Sequence, residues 1–376
     1  MPGAGFPLDL SELDGWKFQC LDGCALCCLC QPELLESEVP FFRRNFPQRL
    51  VTRRSPHRHT ALALKKGCGP CTFLDDGRCS IYADRPHYCR QFPFHVHLLD
   101  RVQVSLDLSC RGAWMGKGDD ATALALELVT GNERALRSGL EEARSVHRQF
   151  LVNCREAGID PSAKDLRLRF ESLLDQVLEL PFLGWMLDRS VEDETMDLDQ
   201  RPADLELDAA RREELRKAAM EVSLESLASE DPLSSPVYCD QRGAWNVFIS
   251  SCGELEMHRL LEDGGMERTK VIDPDKVPLL APVDVGRKLF SDYLRTLNRR
   301  DAVLGHAYYL IDEYGYEDEM PNVYYGALAS SALDLLWRAS LLAHLGGGKL
   351  DGDGIREGII FYDMDRLDAP TIGAFM

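Results

Sequence analysis

The feature that most constrains this chain is the density of cysteine in residues 20–110. Of the 13 cysteines in the sequence, ten lie in this segment. They are Cys20, Cys24, Cys27, Cys28, Cys30, Cys68, Cys71, Cys79, Cys89 and Cys110. Soft thiolate ligands bind iron–sulfur clusters, zinc or cuprous copper. The segment therefore predicts a metal-binding module, with iron–sulfur favoured.

The compartment of the protein decides how these cysteines are interpreted. No apolar run approaches the ~20 residues that span a bilayer. The N-terminal sequence MPGAGFPLDLSELDGW lacks the basic and apolar regions of a secretory signal. We therefore expect a cytoplasmic protein with no membrane insertion. In a reducing cytosol, dense cysteine indicates metal binding or catalysis more often than disulfides.

The charge of the chain argues against nucleic-acid binding, because its formal net charge is −19. A basic stretch over residues 43–66 reverses this trend, since it contains no Asp or Glu. Its cations are Arg43, Arg44, Arg49, Arg53, Arg54, Arg58, Lys65 and Lys66. Three interpretations stay open: a solvated loop, a source of charge that offsets an anionic thiolate cluster, or a docking patch for an acidic protein partner.

The spacing of the cysteines bears on the kind of metal site. Cys68-Gly69-Pro70-Cys71 is the one C-x2-C pair that stands apart from other cysteines, whereas a zinc ribbon has two such pairs about 15–20 residues apart. The close thiols at residues 20–30 are typical of a compact cluster. Cys20, Cys24 and Cys27 also have the spacing of radical SAM enzymes, but no run of βα units follows them. Two four-ligand sites and one cluster with spare thiols both stay open.

The composition changes after Gly118, which predicts two domains. The first is a cysteine-cluster metal-binding domain over residues 1–118, and the second is a mostly helical domain over residues 119–376. In the first domain, residues 92–98 and 102–106 alternate apolar and polar side chains and predict a short hairpin that delivers Cys110 to the cluster. The fold class is therefore expected to be α+β.

Helical periodicity dominates the second predicted domain. The predicted helices cover residues 119–157, 163–180, 207–229, 283–300 and 322–345. Alternation and turn residues predict a small antiparallel β-meander at about 237–273. Residues 188–205 are expected to form an acidic connection, and residues 359–362 a last strand.

Several short motifs follow one another along the cysteine segment. They are Cys24-Ala25-Leu26-Cys27-Cys28, Cys71-Thr72-Phe73-Leu74, Cys79-Ser80-Ile81-Tyr82, Arg85-Pro86, Cys89-Arg90-Gln91-Phe92-Pro93-Phe94 and Cys110-Arg111-Gly112. On these motifs, residues 1–118 resemble the YkgJ-type cysteine-cluster family, described as a zinc- or iron-chelating domain. The chain departs from the family pattern because three residues, not two, separate Cys20 from Cys24, and because Cys30 and Cys68 are additional. One relative of this type, the flagellin lysine methylase, is associated with a 4Fe–4S cluster and methyl transfer to protein lysines, which favours iron over zinc.

Thiol density and this resemblance together predict the metal ligands. They are Cys20, Cys24, Cys27, Cys28, Cys71, Cys79, Cys89 and Cys110. The expected cofactor is an iron–sulfur cluster of the 4Fe–4S type, with zinc as the alternative. His95 and His97 share one side of a strand and are expected to be exposed side chains rather than ligands. Cys154, Cys239 and Cys252 are expected to be isolated, ordinary cysteines.

The predicted function is that of an iron–sulfur protein that transfers electrons, or holds a cluster, within a larger protein assembly. The sequence contains no P-loop, dinucleotide fingerprint or Ser/His/Asp arrangement beside the thiols. Two alternatives stay open. One is a cluster-dependent, methylase-like enzyme that modifies proteins, with the C-terminal part as its substrate domain. The other is a structural zinc module for protein interaction.

Overall fold

A computed structural model describes residues 5–54, 58–177, 179–228, 235–251 and 253–375, so that Cys252 lies outside the described residues. The described strands are β1 (Leu8–Asp9), β2 (Lys17–Phe18), β3 (Leu50–Arg53), β4 (His59–Leu62), β5 (Leu74–Asp75), β6 (Arg78–Cys79), β7 (Phe94–Leu98), β8 (Val102–Leu106), β9 (Asp119–Asp120), β10 (Val237–Cys239), β11 (Trp245–Ser251), β12 (Glu254–Leu260), β13 (Met266–Ile272) and β14 (Ala374–Phe375). The described α-helices are α1 (Val39–Asn45), α2 (His87–Gln91), α3 (Ala121–Gly131), α4 (Glu133–Ala157), α5 (Lys164–Val177), α6 (Leu180–Arg189), α7 (Ala209–Ser226), α8 (Val285–Arg299), α9 (Asp301–Glu313), α10 (Met320–Gly346) and α11 (Gly352–Leu367). The predicted α+β fold class is confirmed.

The hairpin of β7 and β8 forms the middle of a four-stranded sheet with the order β1-β8-β7-β14. Its two strands are antiparallel, from Phe94 opposite Leu106 to Leu98 opposite Val102. β1 runs parallel to β8, and β14 pairs with β7. The predicted hairpin is therefore confirmed, and segments near both ends of the sequence cover its edges.

The main hydrophobic core extends across residue 118. It includes Val96 and Val104 of the hairpin together with apolar side chains of later helices, such as Phe150. Helix α4 lies so close to β7 that a Cβ at Gly139 would come within 2.8 Å of the Leu98 Cδ1 atom. Burial of such side chains stabilises the fold by roughly 25 cal/mol per Å² of apolar surface. The domain division at residue 118 stays a prediction.

A buried arginine connects distant segments of the chain. The Arg300 and Asp363 side chains are both 0% exposed, and their Nη1 and Oδ1 atoms lie 2.6 Å apart. Arg300 also bonds Glu12, with 2.8 Å between Nη2 and Oε1. Because Asp363 is in α11 and Glu12 follows β1, this network ties the N-terminal region to the helices. No helix among the described ranges has the length and apolar character needed to span a bilayer.

The predicted β-meander is confirmed as an antiparallel sheet with the order β10-β11-β12-β13. Its turns contact the cysteine loops. Gly243 has a φ of 78°, and a Cβ there would lie 2.9 Å from the Gly23 carbonyl oxygen. Glu262, just after β12, accepts hydrogen bonds of 2.9 Å from the backbone N–H groups of Asp76 and Gly77. The meander thereby positions two of the loops that carry thiols.

Two predictions about the helical part are wrong, and two further helices, α6 and α9, were missed. Residues 359–362 lie in α11 rather than in a strand, because Asp351 caps a helix by accepting hydrogen bonds from the N–H groups of Asp353 and Gly354, both 3.2 Å. The acidic connection begins later than residue 188, since α6 continues to Arg189. Neither α9 nor, beyond its first residue, α6 was predicted. Helices α9 and α11 are apolar on several faces and buried, so the one-sided pattern of a surface helix is absent.

Candidate metal centre

Four short segments bring the thiols of the cysteine region together. Cys27 and Cys28 lie in the single helical turn Leu26–Cys28, which follows Ala25 in the left-handed conformation at a φ of 45°. The Cys28 carbonyl accepts a 2.7 Å hydrogen bond from the Cys71 N–H. This bond joins the first thiol loop, residues 20–30, to the second, residues 68–71. β6 carries Cys79, and α2 carries Cys89.

One cavity of about 300 Å³ collects most of these thiols. The cysteines that line it are Cys20, Cys27, Cys28, Cys30, Cys71, Cys79 and Cys89. Arg85 and Tyr82 also line it, and the Arg85 guanidinium carbon lies 3.7 Å from the centre of the Tyr82 ring. We call this space the thiol cavity. Six of the eight predicted ligands share it.

The remaining predicted ligands, Cys24 and Cys110, lie outside the lining of the thiol cavity. Cys30, which is not among the predicted ligands, does line it. Cys68 is exposed, with its Sγ atom 4.0 Å from the Lys66 carbonyl oxygen. The spacing of cysteines along the chain therefore did not separate the thiols that share a space from those that do not.

A second group of thiols joins the cysteine segment to the meander. The Sγ atoms of Cys24 and Cys239 lie 3.8 Å apart, although 215 positions separate the two residues. Cys239 is in β10 and is 0% exposed. Cys110 is also buried, and its thiol interacts electrostatically with that of Cys24. The expectation that Cys239 is isolated is therefore wrong, and no spacing in the sequence marks it.

Most thiols of the cavity are held in the protonated form. Burial raises the pKa values of Cys71, Cys79 and Cys89. Cys27 differs, because a hydrogen bond from Cys28 lowers its pKa and raises the pKa of Cys28. Since the thiolate is the form that binds metal, a metal ion entering the cavity must displace protons. Metal binding is therefore favoured as pH rises.

In the second group, the hydrogen bond with Cys239 lowers the pKa of Cys24 and raises that of Cys239. Arg111 lies beside the pair. Its Nε atom donates a 2.7 Å hydrogen bond to the Cys239 carbonyl oxygen, and its guanidinium is paired with Glu357. A cation next to these thiols favours their ionised forms.

The chemistry of the thiol cavity fits a metal held by thiolates. Cysteine is the shared ligand of structural zinc sites and of iron–sulfur clusters. Across the ranges that the structure describes, no three or more His, Cys, Asp or Glu side chains are already placed to hold one ion. The cavity thiols must therefore rotate toward a common centre when a metal binds. The ordering of the loops that carry them then depends on the metal.

The basic stretch is partly used within the protein. Lys65 and Lys66 pair with Glu262 and Asp263 of the meander, at 3.3 and 2.9 Å between nitrogen and oxygen. Arg49 donates a 2.7 Å hydrogen bond to the Thr72 carbonyl oxygen. The exposed cations of the stretch include Arg43, Arg44, Arg54 and Arg58.

The two histidines of β7 are not exposed, contrary to expectation. His97 is 2% exposed and its Nε2 lies 3.2 Å from the Thr371 hydroxyl oxygen. His95 lies between two carboxylates. Its Nε2 atom is 3.6 Å from Asp107 Oδ2, and its Nδ1 atom is 3.9 Å from Asp368 Oδ1. It lines a neighbouring cavity that also includes Cys27, Cys30 and Cys89. His95 is therefore a neighbour of the thiols that the sequence did not reveal.

A cysteine-rich segment whose loops gather thiols around one cavity defines a metal-chelating module. Residues 19–111 match the CxxCxxCC family, whose description reads "Putative zinc- or iron-chelating domain". The match confirms the resemblance noted from the sequence motifs, and its description indicates a segment of the zinc- or iron-chelating type. Neither a curated protein nor a solved structure matches the chain.

Proposed function

We propose that the thiol cavity holds an iron–sulfur cluster of the 4Fe–4S type. We further propose that the protein transfers electrons, or holds the cluster, within a larger protein assembly in the cytoplasm. The observation that carries this proposal is the seven thiols around one cavity of about 300 Å³. A zinc ion takes four ligands, and structural zinc sites are built from that number. A 4Fe–4S cluster also takes four thiolates, but it occupies far more space than a single ion, so thiols spread around a cavity on four separate segments suit it better.

The residues around the cavity are suited to an anionic cluster. A cluster with four thiolates carries net negative charge, and nearby cations raise its reduction potential. Burial raises the pKa values of Cys79 and Cys89, and the positive charge of Arg85, which lines the cavity, acts against this rise. At Cys27 the hydrogen bond from Cys28 lowers the pKa, and Arg85 acts in the same direction. Bound there, the cluster supplies one-electron chemistry, while the protein sets its potential and its exposure to solvent.

Metal analysis of anaerobically purified protein tests the proposal. We expect iron and acid-labile sulfide in equal amounts, with a broad visible absorption band from thiolate-to-iron charge transfer. Cys79→Ser and Cys89→Ser should lose most of both. Cys68→Ser is the matched control, because Cys68 is exposed and lies outside the cavity lining. Stoichiometric zinc in the cavity without sulfide would contradict the proposal and would instead indicate a structural zinc module.

A second candidate function rests on a larger cavity beside the thiols. This cavity of about 730 Å³ shares Cys20, Tyr82 and Arg85 with the thiol cavity. Its volume lies in the roughly 300–1,000 Å³ range of small-molecule sites. It offers a place for a substrate next to a cluster, as a methylase-like enzyme requires. Equilibrium dialysis with S-adenosylmethionine tests this candidate, and cluster-loaded protein that binds none would exclude it.

A further inference from the structure

The thiols outside the cavity carry an inference that goes beyond the proposed cluster. The Sγ atoms of Cys24 and Cys239 are 3.8 Å apart. Two thiolates on one tetrahedral zinc ion, each about 2.3 Å from the metal, are also about 3.8 Å apart. We infer that Cys24 and Cys239 are two ligands of a single zinc ion, bound at a site separate from the thiol cavity.

The backbone on both sides of the pair is fixed by hydrogen bonds. Trp245 Nε1 donates a 2.7 Å bond to the Cys24 carbonyl oxygen. Arg111 Nε donates a 2.7 Å bond to the Cys239 carbonyl oxygen. A disulfide would require the sulfur atoms to close to about 2.05 Å. The two anchors hold the backbone of Cys24 and Cys239 in place, and the sulfurs stand at the spacing of ligands rather than of a disulfide.

The charges around the pair suit a divalent cation. Two thiolates in a buried position need compensating positive charge. Arg111 is the nearby cation, but its guanidinium is already paired with Glu357, with 3.0 Å between Nη1 and Oε1. A zinc ion supplies the charge that Arg111 alone does not.

Cys110 is the third thiol of this site, and a water molecule would complete the four ligands of the ion. It is buried, and it directly precedes Arg111, whose Nε atom donates to the Cys239 carbonyl oxygen, so the chain brings Cys110 next to the pair. Because the described residues contain no ready group of three ligands, Cys110 must turn toward the pair when the ion binds. The ion would then link the cysteine segment to β10 of the meander, which a site built from residues 19–111 alone cannot do.

Metal content of single variants tests this inference. Full-length protein is purified anaerobically after growth with zinc, and zinc, iron and sulfide are measured by mass spectrometry and colorimetry. We expect one zinc per chain in the wild type. Cys239→Ala should lower zinc affinity by more than about tenfold, since even changes behind the ligands cost that much. Its iron and sulfide should be unchanged.

Two control variants make the result specific. Cys154→Ala removes another thiol that is 0% exposed, as Cys239 is, and should keep the zinc. Cys89→Ser alters the thiol cavity and should lose cluster iron but keep the zinc. Circular dichroism of Cys239→Ala should match that of Cys154→Ala, so that misfolding does not explain a loss of zinc.

Several outcomes would overturn the inference. They are a wild type without zinc, a Cys239→Ala variant that retains it, a variant that loses zinc and cluster together, and a Cys24–Cys239 disulfide in peptides of the anaerobic protein. Failure of the proposed cluster gives a different pattern. In that case iron and sulfide are absent from the wild type, while one zinc per chain is present and depends on Cys239.

Discussion

The indole nitrogen of Trp245 donates a 2.7 Å hydrogen bond to the carbonyl oxygen of Cys24, which lies 221 positions earlier in the chain. Trp245 begins β11, and Cys24 lies in the first thiol loop. The loop is therefore positioned by the C-terminal meander and not by its own sequence alone. This relationship makes the metal-binding segment dependent on residues far outside it.

We predict that Trp245→Phe loosens the first thiol loop. The variant loses a hydrogen bond worth about 1 kcal/mol of unfolding free energy, so alkylation of Cys24 in metal-free protein should become faster. Mass spectrometry of alkylated peptides measures this rate. Trp337→Phe is the control, because the Trp337 indole nitrogen has no hydrogen-bond partner among the described residues. Equal Cys24 rates in the two variants would contradict the anchoring role.

Arg300→Met should be strongly destabilising. The variant leaves Asp363 buried without its cationic partner, and breaking such a pair costs about 3–5 kcal/mol. Urea unfolding followed by circular dichroism measures the loss. Arg299→Met is the matched control, since that side chain is 61% exposed and should cost less than about 0.5 kcal/mol. A double variant, Arg300→Met with Asp363→Asn, should recover part of the loss because position 363 then carries no unpaired charge, although Glu12 still lacks its partner.

His97 should make the protein less stable in acid. Burial lowers its pKa to about 4, with Asp301 acting in the opposite direction and Arg167 in the same one. An unfolded histidine titrates near 6.5. Between about pH 4 and 6.5, His97 therefore binds a proton in the unfolded chain but not in the folded protein. The contribution of His97 is therefore present above about pH 6.5 and is lost as pH falls toward 4, by at most about 1.4 kcal/mol per pH unit.

Urea midpoints of the wild type and of His97→Gln between pH 4 and 8 check the His97 prediction. The variant should lose less stability on acidification than the wild type. His344→Gln replaces an exposed histidine and should follow the wild type. A His97→Gln curve parallel to the wild type would show that other groups cause the acid sensitivity.

Metal removal should loosen the thiol loops before the rest of the molecule. Residues 20–91 carry the cavity thiols, whereas β7 and β8 belong to the main hydrophobic core. Chelation removes the cross-links among the loops but leaves that core intact. We expect limited proteolysis of chelated protein to cut first within residues 20–91, as identified by mass spectrometry. Equal cleavage of the loops and of helices α8–α11 would contradict this order.

The basic stretch is expected to bind an acidic protein surface near the metal. Arg53→Glu, Arg54→Glu and Arg58→Glu together should weaken association with partners of tagged full-length protein, and salt should weaken the wild-type complexes too. Metal content should not change. Reversing Arg134, Arg212 and Lys217, which are exposed elsewhere, is the control. Partners that persist in the triple variant at every salt concentration would rule out docking, whereas loss of metal would indicate a local role in charge balance.

Local pattern was sufficient for much of the fold. Alternation predicted β7, β8 and the meander, because one side of each strand faces a core with a repeat of two residues. One-sided helices such as α4 were predicted for the corresponding reason. Helices α9 and α11 escaped prediction, since helices buried on several faces carry no such contrast.

For the candidate site too, local features were predictable from the sequence, whereas contacts between distant segments were not. By itself, the sequence determined that residues 20–110 form a thiol-rich chelating segment, because ligand type and close spacing are local properties of the chain. Only the tertiary structure decided which thiols share a cavity, and it placed Cys24 against Cys239 instead. The physical reason is that a contact across 215 positions depends on how the meander packs against the cysteine loops, and such packing leaves no periodic mark in either segment.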